Sequence, residues 1–256
     1  MAREPLESIR ADLSALKDER TGLVLEPLRW ALQAVDAGRP YEVIVLEQVP
    51  AVRPVWEKYA DLLDKEGYSV AEPRVLRTEE YGVPQTRRRA IFIARRRDSQ
   101  RLSGIPGMPQ PTHDPFNPLK KARAARLHGP TDPVSMAEAL PDRPSPFVVI
   151  SNYGTGGDPK ARGRRYSHEP SATVTGKVSR NRLEAPEGVA TKRFTWSEMG
   201  QLQTFPAEAA WTWAGNDISQ QIGNAVPPRL GMHILTAALD LPREDLEAAI
   251  RKHYTY

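Results

Sequence analysis

Cysteine is absent from all 256 residues of the chain. Disulfides, thiolate metal sites and any cysteine nucleophile are therefore excluded within this sequence. The absence does not identify a redox compartment. Long apolar runs are also missing, and none approaches the roughly 18 residues that a membrane-spanning helix needs. The opening stretch MAREPLESIR lacks the apolar core of a signal peptide. The expectation is a soluble cytoplasmic protein with no membrane partner. The five histidines (113, 128, 168, 233 and 253) have no metal-ligand spacing, so no metal is expected. No internal repeat is visible.

What is present is charge, unevenly placed. The formal net charge is only +4, yet Arg87–Arg182 holds 19 Lys and Arg against 7 Asp and Glu, a net of +12. The remainder carries −8. Basic clusters stand at Arg87–Arg89, at Arg95–Arg97, at Lys120 and Lys121 with Arg123 and Arg126, and from Lys160 to Arg165. Any one of them reads equally well as a solvated surface, but four within one segment point to a polyanionic partner.

Apolar spacing predicts a short amphipathic helix over 5–17 and a second from about Gly22 to Ala37, with Leu25, Leu28, Leu32 and Val35 on one face. Pro27 fits that helix only in its first turn. Glu42–Leu46 reads as a buried parallel strand. A helix opened by Pro54 follows, burying Val55, Tyr59, Leu62 and Leu63 and closed by Gly67. Strands are expected at Ser69–Leu76 and Ala90–Ala94. This alternation is part of an α/β sheet and not a whole one. From Arg97 to about Gly188 proline and glycine become frequent, leaving a helical patch at Ser135–Leu140 and apolar runs at Phe147–Ile150 and Ala172–Thr175. Beyond Arg193 the sequence turns helical again, with Leu230, Ile234, Leu235 and Ala238 on one face and a last short helix from Pro242. The expected divisions are 1–98, 99–190 and 191–256.

Three strings carry chemistry. LEQVP places Glu47 directly after a strand, where ligands bind in open α/β sheets. Taken alone it reads more simply as a surface loop glutamate. In GVPQTRRRAIFIA, Arg87 and Arg89 alternate to one side of extended chain and Arg88 to the other. Two guanidiniums on one face can bind a phosphate and a carbonyl oxygen, or simply guard a sheet edge. The third is RFTWSEMGQLQTFP, followed by QIGNAVPPRLG, in which Asn224 is either a ligand group or part of an ordinary turn before a helix.

In this order the strings resemble the C-terminal half of the DNA cytosine-5 methyltransferases. Glu47-Gln48-Val49 is similar to that family's Glu-Asn-Val motif, with Gln48 in place of asparagine. Gln85, Arg87 and Arg89 match its Gln-x-Arg-x-Arg motif. Arg193, Glu198, Leu202-Gln203 and Phe205-Pro206 match a third motif, and Gly223-Asn224-Ala225-Val226 a fourth. Asp18–Trp30 is similar to the segment after the family's catalytic loop. The resemblance spans about Lys17 to about Leu235.

The resemblance implies an α/β fold: the C-terminal half of a doubly wound S-adenosylmethionine-dependent methyltransferase sheet with a small loop-rich target-recognition domain. It implies catalytic roles for Glu47, Arg87 and Arg89. Glu47 would bond N4 and N3 of a flipped cytosine, Arg89 its O2, with Arg87 nearby. Asn224 and Val226 would form one wall of an S-adenosylmethionine pocket. Double-stranded DNA would be the partner, contacted by Gln85, Lys120, Lys121, Arg123, Arg162, Arg164 and Arg165. Arg193 and Glu198 would support the attachment of the recognition domain.

The family activates cytosine C5 by adding a cysteine thiolate to C6. Both the Pro-Cys-Gln loop that carries this cysteine and the Phe-x-Gly-x-Gly cofactor loop are missing from the chain. YGTGGDP at 153–159 mimics a cofactor loop, but no helix pattern follows it. The chain alone is thus expected to be inactive, to leave apolar edges uncovered, and to lack an N-terminal half that is either carried by a second polypeptide or lost to a late start of the reading frame. A non-catalytic, sequence-selective DNA-binding relative and a decayed gene product are the alternatives.

Overall fold

The computed structural model describes residues 19–102, 104–119, 131–151, 163–185, 192–206 and 217–256. The helix expected over 5–17 lies outside them, as do the glycine-rich stretch 153–159 and Lys120, Lys121, Arg123 and Arg162. The chain divides into two compact units. One comprises 1–75, 89–109 and 235–241; the other comprises 76–88, 110–234 and 242–256. Of the expected third segment, 191–256, only 235–241 group with the first unit.

In the first unit a 3-10 turn at Glu19–Leu25 leads into α1 (Glu26–Asp36), which has Pro27 in its first turn, where a missing N–H costs nothing. Leu28, Ala31 and Leu32 form its buried stripe. After β1 (Val43–Gln48), α2 (Arg53–Lys65) buries Val55, Trp56, Tyr59 and Leu63. Trp56, 2% exposed, is a core residue that the apolar spacing missed. Then come β2 (Tyr68–Val70), β3 (Arg74–Arg77) and, after a short β4 (Gln85–Thr86), the long β5 (Arg88–Arg96). The strand expected over Ser69–Leu76 is thus two strands. Pro73 stands in the break between them and has no N–H to continue a ladder.

β5 is the axis of a four-stranded sheet, paired with β1, β2 and β3. β1 runs antiparallel to β5 in the register Glu47↔Ile91, and β2 is antiparallel to it as well. The expected parallel partner for β1 is therefore corrected. An apolar branched run reads the same in either orientation, and only the partner's direction decides. Ala90–Ala94 are fully buried; Phe92 packs with Trp56, Tyr59, Leu28 and Leu63 in the core of this unit. Each large side chain removed from water here contributes about 1.5–3 kcal/mol before entropy is charged. By contrast β1 is mostly half-buried and pairs among the described strands with β5 alone. Leu23, Trp30 and Val49 are 71, 52 and 44% exposed.

The second unit has α3 (Met136–Ala139), closed at its start by a Ser135–Glu138 capping box. It also holds a three-stranded antiparallel sheet ordered β7 (Arg164–Tyr166), β6 (Val148–Ile150), β9 (Arg182–Glu184). β4 pairs in parallel with β8 (Ser171–Ala172). Helices α4 (Trp196–Leu202) and α5 (Ile218–Asn224) complete a core in which Met136, Phe147, Leu183, Phe194, Met199 and Ile222 meet. In α6 (Pro228–Leu239) Leu230, Ile234 and Ala238 are buried at i, i+4, i+8. Leu235, expected on the same face, is 50% exposed because it lies one residue off that stripe. α7 (Arg243–His253) ends the chain, with Pro242 as its N-cap.

Candidate active site and recognition surface

Glu47 lies inside β1, one residue before its end, and not in the loop after it. Opposed residues of an antiparallel pair share a face, as do residues two apart. Glu47 opposite Ile91 therefore faces the same way as Arg89 on β5. Their ion pair, Nε to Oε1, is 2.7 Å, with 16% and 20% of the side chains exposed. Burial pulls the Arg89 guanidinium below its ordinary value, and the charge and hydrogen bond of Glu47 oppose that. A carboxylate acceptor and a guanidinium donor thus stand together, partly screened from water. This is the polarity needed to grip an edge that offers N–H groups and a carbonyl side by side.

In the second unit Arg87 is 1% exposed and donates from Nη1 to the Val174 carbonyl at 3.0 Å. Its backbone bonds Thr78 in both directions, N to Oγ1 at 3.1 Å and O from N at 2.8 Å. Gln85, placed by the sequence among DNA-contacting residues, is fully buried. Its amide nitrogen donates to Leu202 O (3.0 Å) and Gln203 Oε1 (2.6 Å), and its oxygen accepts from Val174 N–H (3.0 Å). Gln203, also fully buried, donates onward to Ile222 O at 2.7 Å. Three sequence motifs are thereby stitched together by buried amides, which are costly to leave unpaired. Gln85 is a tie within the unit, not a surface contact.

Gly223 of the fourth motif packs on backbone: a Cβ there would stand 2.5 Å from the Thr175 carbonyl carbon. This close approach fixes the turn that carries Asn224 and Val226. Both are exposed, and Asn224 Oδ1 accepts from Gln220 Nε2 at 2.8 Å. Glu198 joins Thr195 in a capping box and accepts two hydrogen bonds from Arg143, at 2.6 and 2.8 Å. Burial pushes the Glu198 carboxyl up, but the bonds from Arg143 and Thr195 outweigh it and leave the group below its ordinary value. Arg143 also donates to the carbonyls of Lys192 and Arg193 at 3.1 and 3.3 Å and lies over the rings of Phe147 and Phe194. The Arg193 side chain itself is exposed. Sequence reasoning missed Arg143, a lone arginine in a proline-rich stretch that gave no signal.

The basic belt also narrows. Arg95 is 2% exposed and donates to the carbonyls of Ala237 and Ala238 at the C-terminal end of α6. Arg96 pairs with Asp98 and lies over Tyr68, and Arg97 bonds Asp64. The expected cluster Arg95–Arg97 thus serves the first unit's own structure. Arg164 remains exposed, whereas Arg165 is half-buried over Phe116 at 4.8 Å. Among the described residues no group of side chains has metal-binding geometry, and no helix is long and apolar enough to cross a membrane.

Residues 12–239 match the family of C-5 cytosine-specific DNA methylases. The chain belongs to that family. Its relatives include the type II methyltransferase M.Eco47II of Escherichia coli, 28% identical over 78% of this chain and 49% of that protein. M.SacI of Streptomyces achromogenes is 27% identical over 65% of this chain and 51% of that protein. The chain spans about half the length of these relatives. Among solved structures, the Dnmt2 methyltransferase of S. pombe superposes with a TM-score of 0.50 at 13% identity, covering 82% of this chain and 69% of that one. The methyltransferase EhMeth of Entamoeba histolytica gives 0.50 at 14% identity, covering 94% and 75%. These likenesses show the fold, an α/β methyltransferase fold.

Proposed function

We propose that this chain is the base-binding and DNA-recognition part of an enzyme that transfers a methyl group from S-adenosylmethionine to C5 of a flipped cytosine in duplex DNA. The observation that carries the reading is the paired Glu47 and Arg89 on adjacent strands. Glu47 would accept from cytosine N4 and hold a proton at N3, and Arg89 would donate to O2, the two exchanging each other for the base. Arg87 would act through position, since it is 1% exposed and its Nη1 bonds the Val174 carbonyl. The exposed Asn224 and Val226 fit one wall of a cofactor pocket, and the rest of that pocket would be built by residues outside this sequence. S-adenosylmethionine would supply the methyl group there.

With no cysteine in the sequence, the thiolate that activates C5 must come from a complementary segment carrying a Pro-Cys-Gln loop. The half-exposed β1 edge with Leu23, Trp30 and Val49 supports a second polypeptide as the cover for this unit. The test is co-expression with the product encoded immediately upstream, followed by bisulfite sequencing of plasmid DNA. Methylation should require both polypeptides, and Glu47→Gln should lower it by about 100-fold or more, as expected for loss of a positioned proton-handling group. Absence of methylation with both present would sink the two-polypeptide reading.

A further inference from the structure

Helix α4 closes with the Thr204 N–H on the Gln201 carbonyl at 2.8 Å and the Phe205 N–H on that of Gly200 at 2.9 Å. Thr204 itself sits in the left-handed region, at φ 64°. Glycine ordinarily takes that place in such a closure, and a β-branched residue is strained in it. The hydroxyl that threonine brings there is fully engaged. Its Oγ1 donates to Gln203 O at 2.6 Å and accepts from the Arg229 N–H at 3.1 Å. Arg229 lies in the first turn of α6, where backbone N–H groups have no partner within the helix. Thr204 therefore caps α6 from 25 positions away. Its neighbour Gln203 donates to Ile222 O at 2.7 Å and to Ala225 O at 3.4 Å. Together the two residues bracket the turn Gly223–Pro228, from which Asn224 and Val226 project as exposed side chains. Tyr254, just after α7, is 9% exposed and donates from its hydroxyl to Thr204 O at 2.8 Å. The buried Arg229 guanidinium holds this tyrosine in place, 5.3 Å from its ring and 5.6 Å from that of Tyr256. Arg229 Nη1 also donates to Tyr256 O at 2.8 Å. On its other side the guanidinium packs on Gly82, where a Cβ would stand 2.4 Å from Arg229 Cζ.

We infer that Tyr254 is a positioning residue for the cofactor wall, acting through Thr204 on the turn that carries Asn224 and Val226. The inference rests on the reading of those two residues given above. A strained backbone persists only where its surroundings hold it. Here the helix closure holds Thr204 from one side and the Tyr254 hydroxyl from the other. Without that hydroxyl the buried Thr204 carbonyl loses a donor. The backbone then relaxes toward its ordinary region and draws Oγ1 away from the Arg229 N–H. The turn keeps its anchor at Gln203 and loses the one at Thr204. Asn224 and Val226 then sample a wider range of positions, and ordering them again weakens a ligand bound against them. Glu47 and Arg89 stand on other strands and are not moved by this path. The signature is therefore a loss of cofactor affinity with turnover at saturation retained.

The test uses Tyr254→Phe, which deletes the hydroxyl and keeps the ring over Arg229, and Thr204→Val, which deletes the cap and keeps the shape. In the full chain, amide exchange at Arg229, followed by NMR, should quicken about fivefold in Y254F, the typical weight of one buried hydrogen bond. In the co-expressed pair of polypeptides, calorimetry should show each variant raising the Kd for S-adenosylmethionine about fivefold, with kcat kept within about twofold. Y254F/T204V should be no worse than T204V, because both substitutions cut one path. Arg251→Ala, exposed on α7, should change none of these readings. Unchanged exchange at Arg229 in Y254F, or additive effects of about 25-fold in the double variant, would overturn the inference. A raised Kd in N224A and V226A with none in Y254F would overturn it while leaving the cofactor wall standing. An unaltered Kd in N224A and V226A would overturn the reading of the wall itself.

Discussion

Replacing Arg143 by alanine should cost the second unit about 3 kcal/mol. Its side chain is 9% exposed and that of Glu198 is 18% exposed, so most of the pair is out of water. Removal leaves a carboxylate held by Thr195 alone, strips donors from the carbonyls of Lys192 and Arg193, and uncovers the rings of Phe147 and Phe194. Breaking a buried pair from one side typically costs about 3–5 kcal/mol; the lower end applies because Glu198 keeps some solvent. The sign with pH follows from the same groups. In the native protein the Glu198 pKa is depressed, so its contribution is present above the unfolded value and lost as pH falls through the folded value. Without Arg143, burial is opposed only by Thr195 and the pKa rises. Glu198 then favours folding at low pH, and that contribution fades as pH climbs through the raised value. The penalty of Arg143→Ala should therefore be smaller near pH 4 than at pH 7. Urea denaturation of both proteins at the two values, followed by tryptophan fluorescence and circular dichroism, measures it. A difference below about 1 kcal/mol at pH 7, or a penalty that grows toward low pH, would refute the reasoning.

Gly223→Ala should destabilise the second unit by about 1–3 kcal/mol, since the new methyl meets the backbone of Thr175 and Gly176 and neither can step aside; urea unfolding reads it. His113 and His233 are 8% and 2% exposed. Burial first, and then the charge of Arg229, hold both imidazoles down to about 4. Their folded values lie below the unfolded one, so their contribution is intact above about pH 6.5 and drains away as pH falls toward 4. The urea midpoint of the native chain should fall across that window, and an H113Q/H233Q variant should show a visibly shallower decline.

Much of the framework was legible because it depends on neighbours in sequence. Pro27 and Pro54 at helix starts, the i, i+4 stripe of α1 and the apolar run Ala90–Ala94 need only local spacing. The motif residues were also readable, and Glu47 with Arg89 do meet. Strand direction was not readable, because β1 takes its sense from β5, which lies over forty residues on. Nor could sequence separate arginines that face solvent from those that do not. Arg87 and Arg95 are drawn inside by carbonyls at Val174 and Ala238, partners set by the fold and not by spacing. Gln85 looked like a surface ligand for the same reason; its partners at Val174, Leu202 and Gln203 lie between 89 and 118 positions away.

The place of β5 as shared partner of β1, β2 and β3 has a consequence for synthesis on the ribosome. When β1 has emerged, the strand that will carry its hydrogen bonds has not been made. β2 and β3 wait in the same way, and no pair among these three substitutes for the missing one. The nascent sheet therefore stays open until residues 88–96 clear the exit tunnel, and then closes on all of its partners at once. A pause in translation just before Arg88 would prolong the exposure of apolar strands, whereas one placed well after Arg96 would be harmless to this unit's sheet.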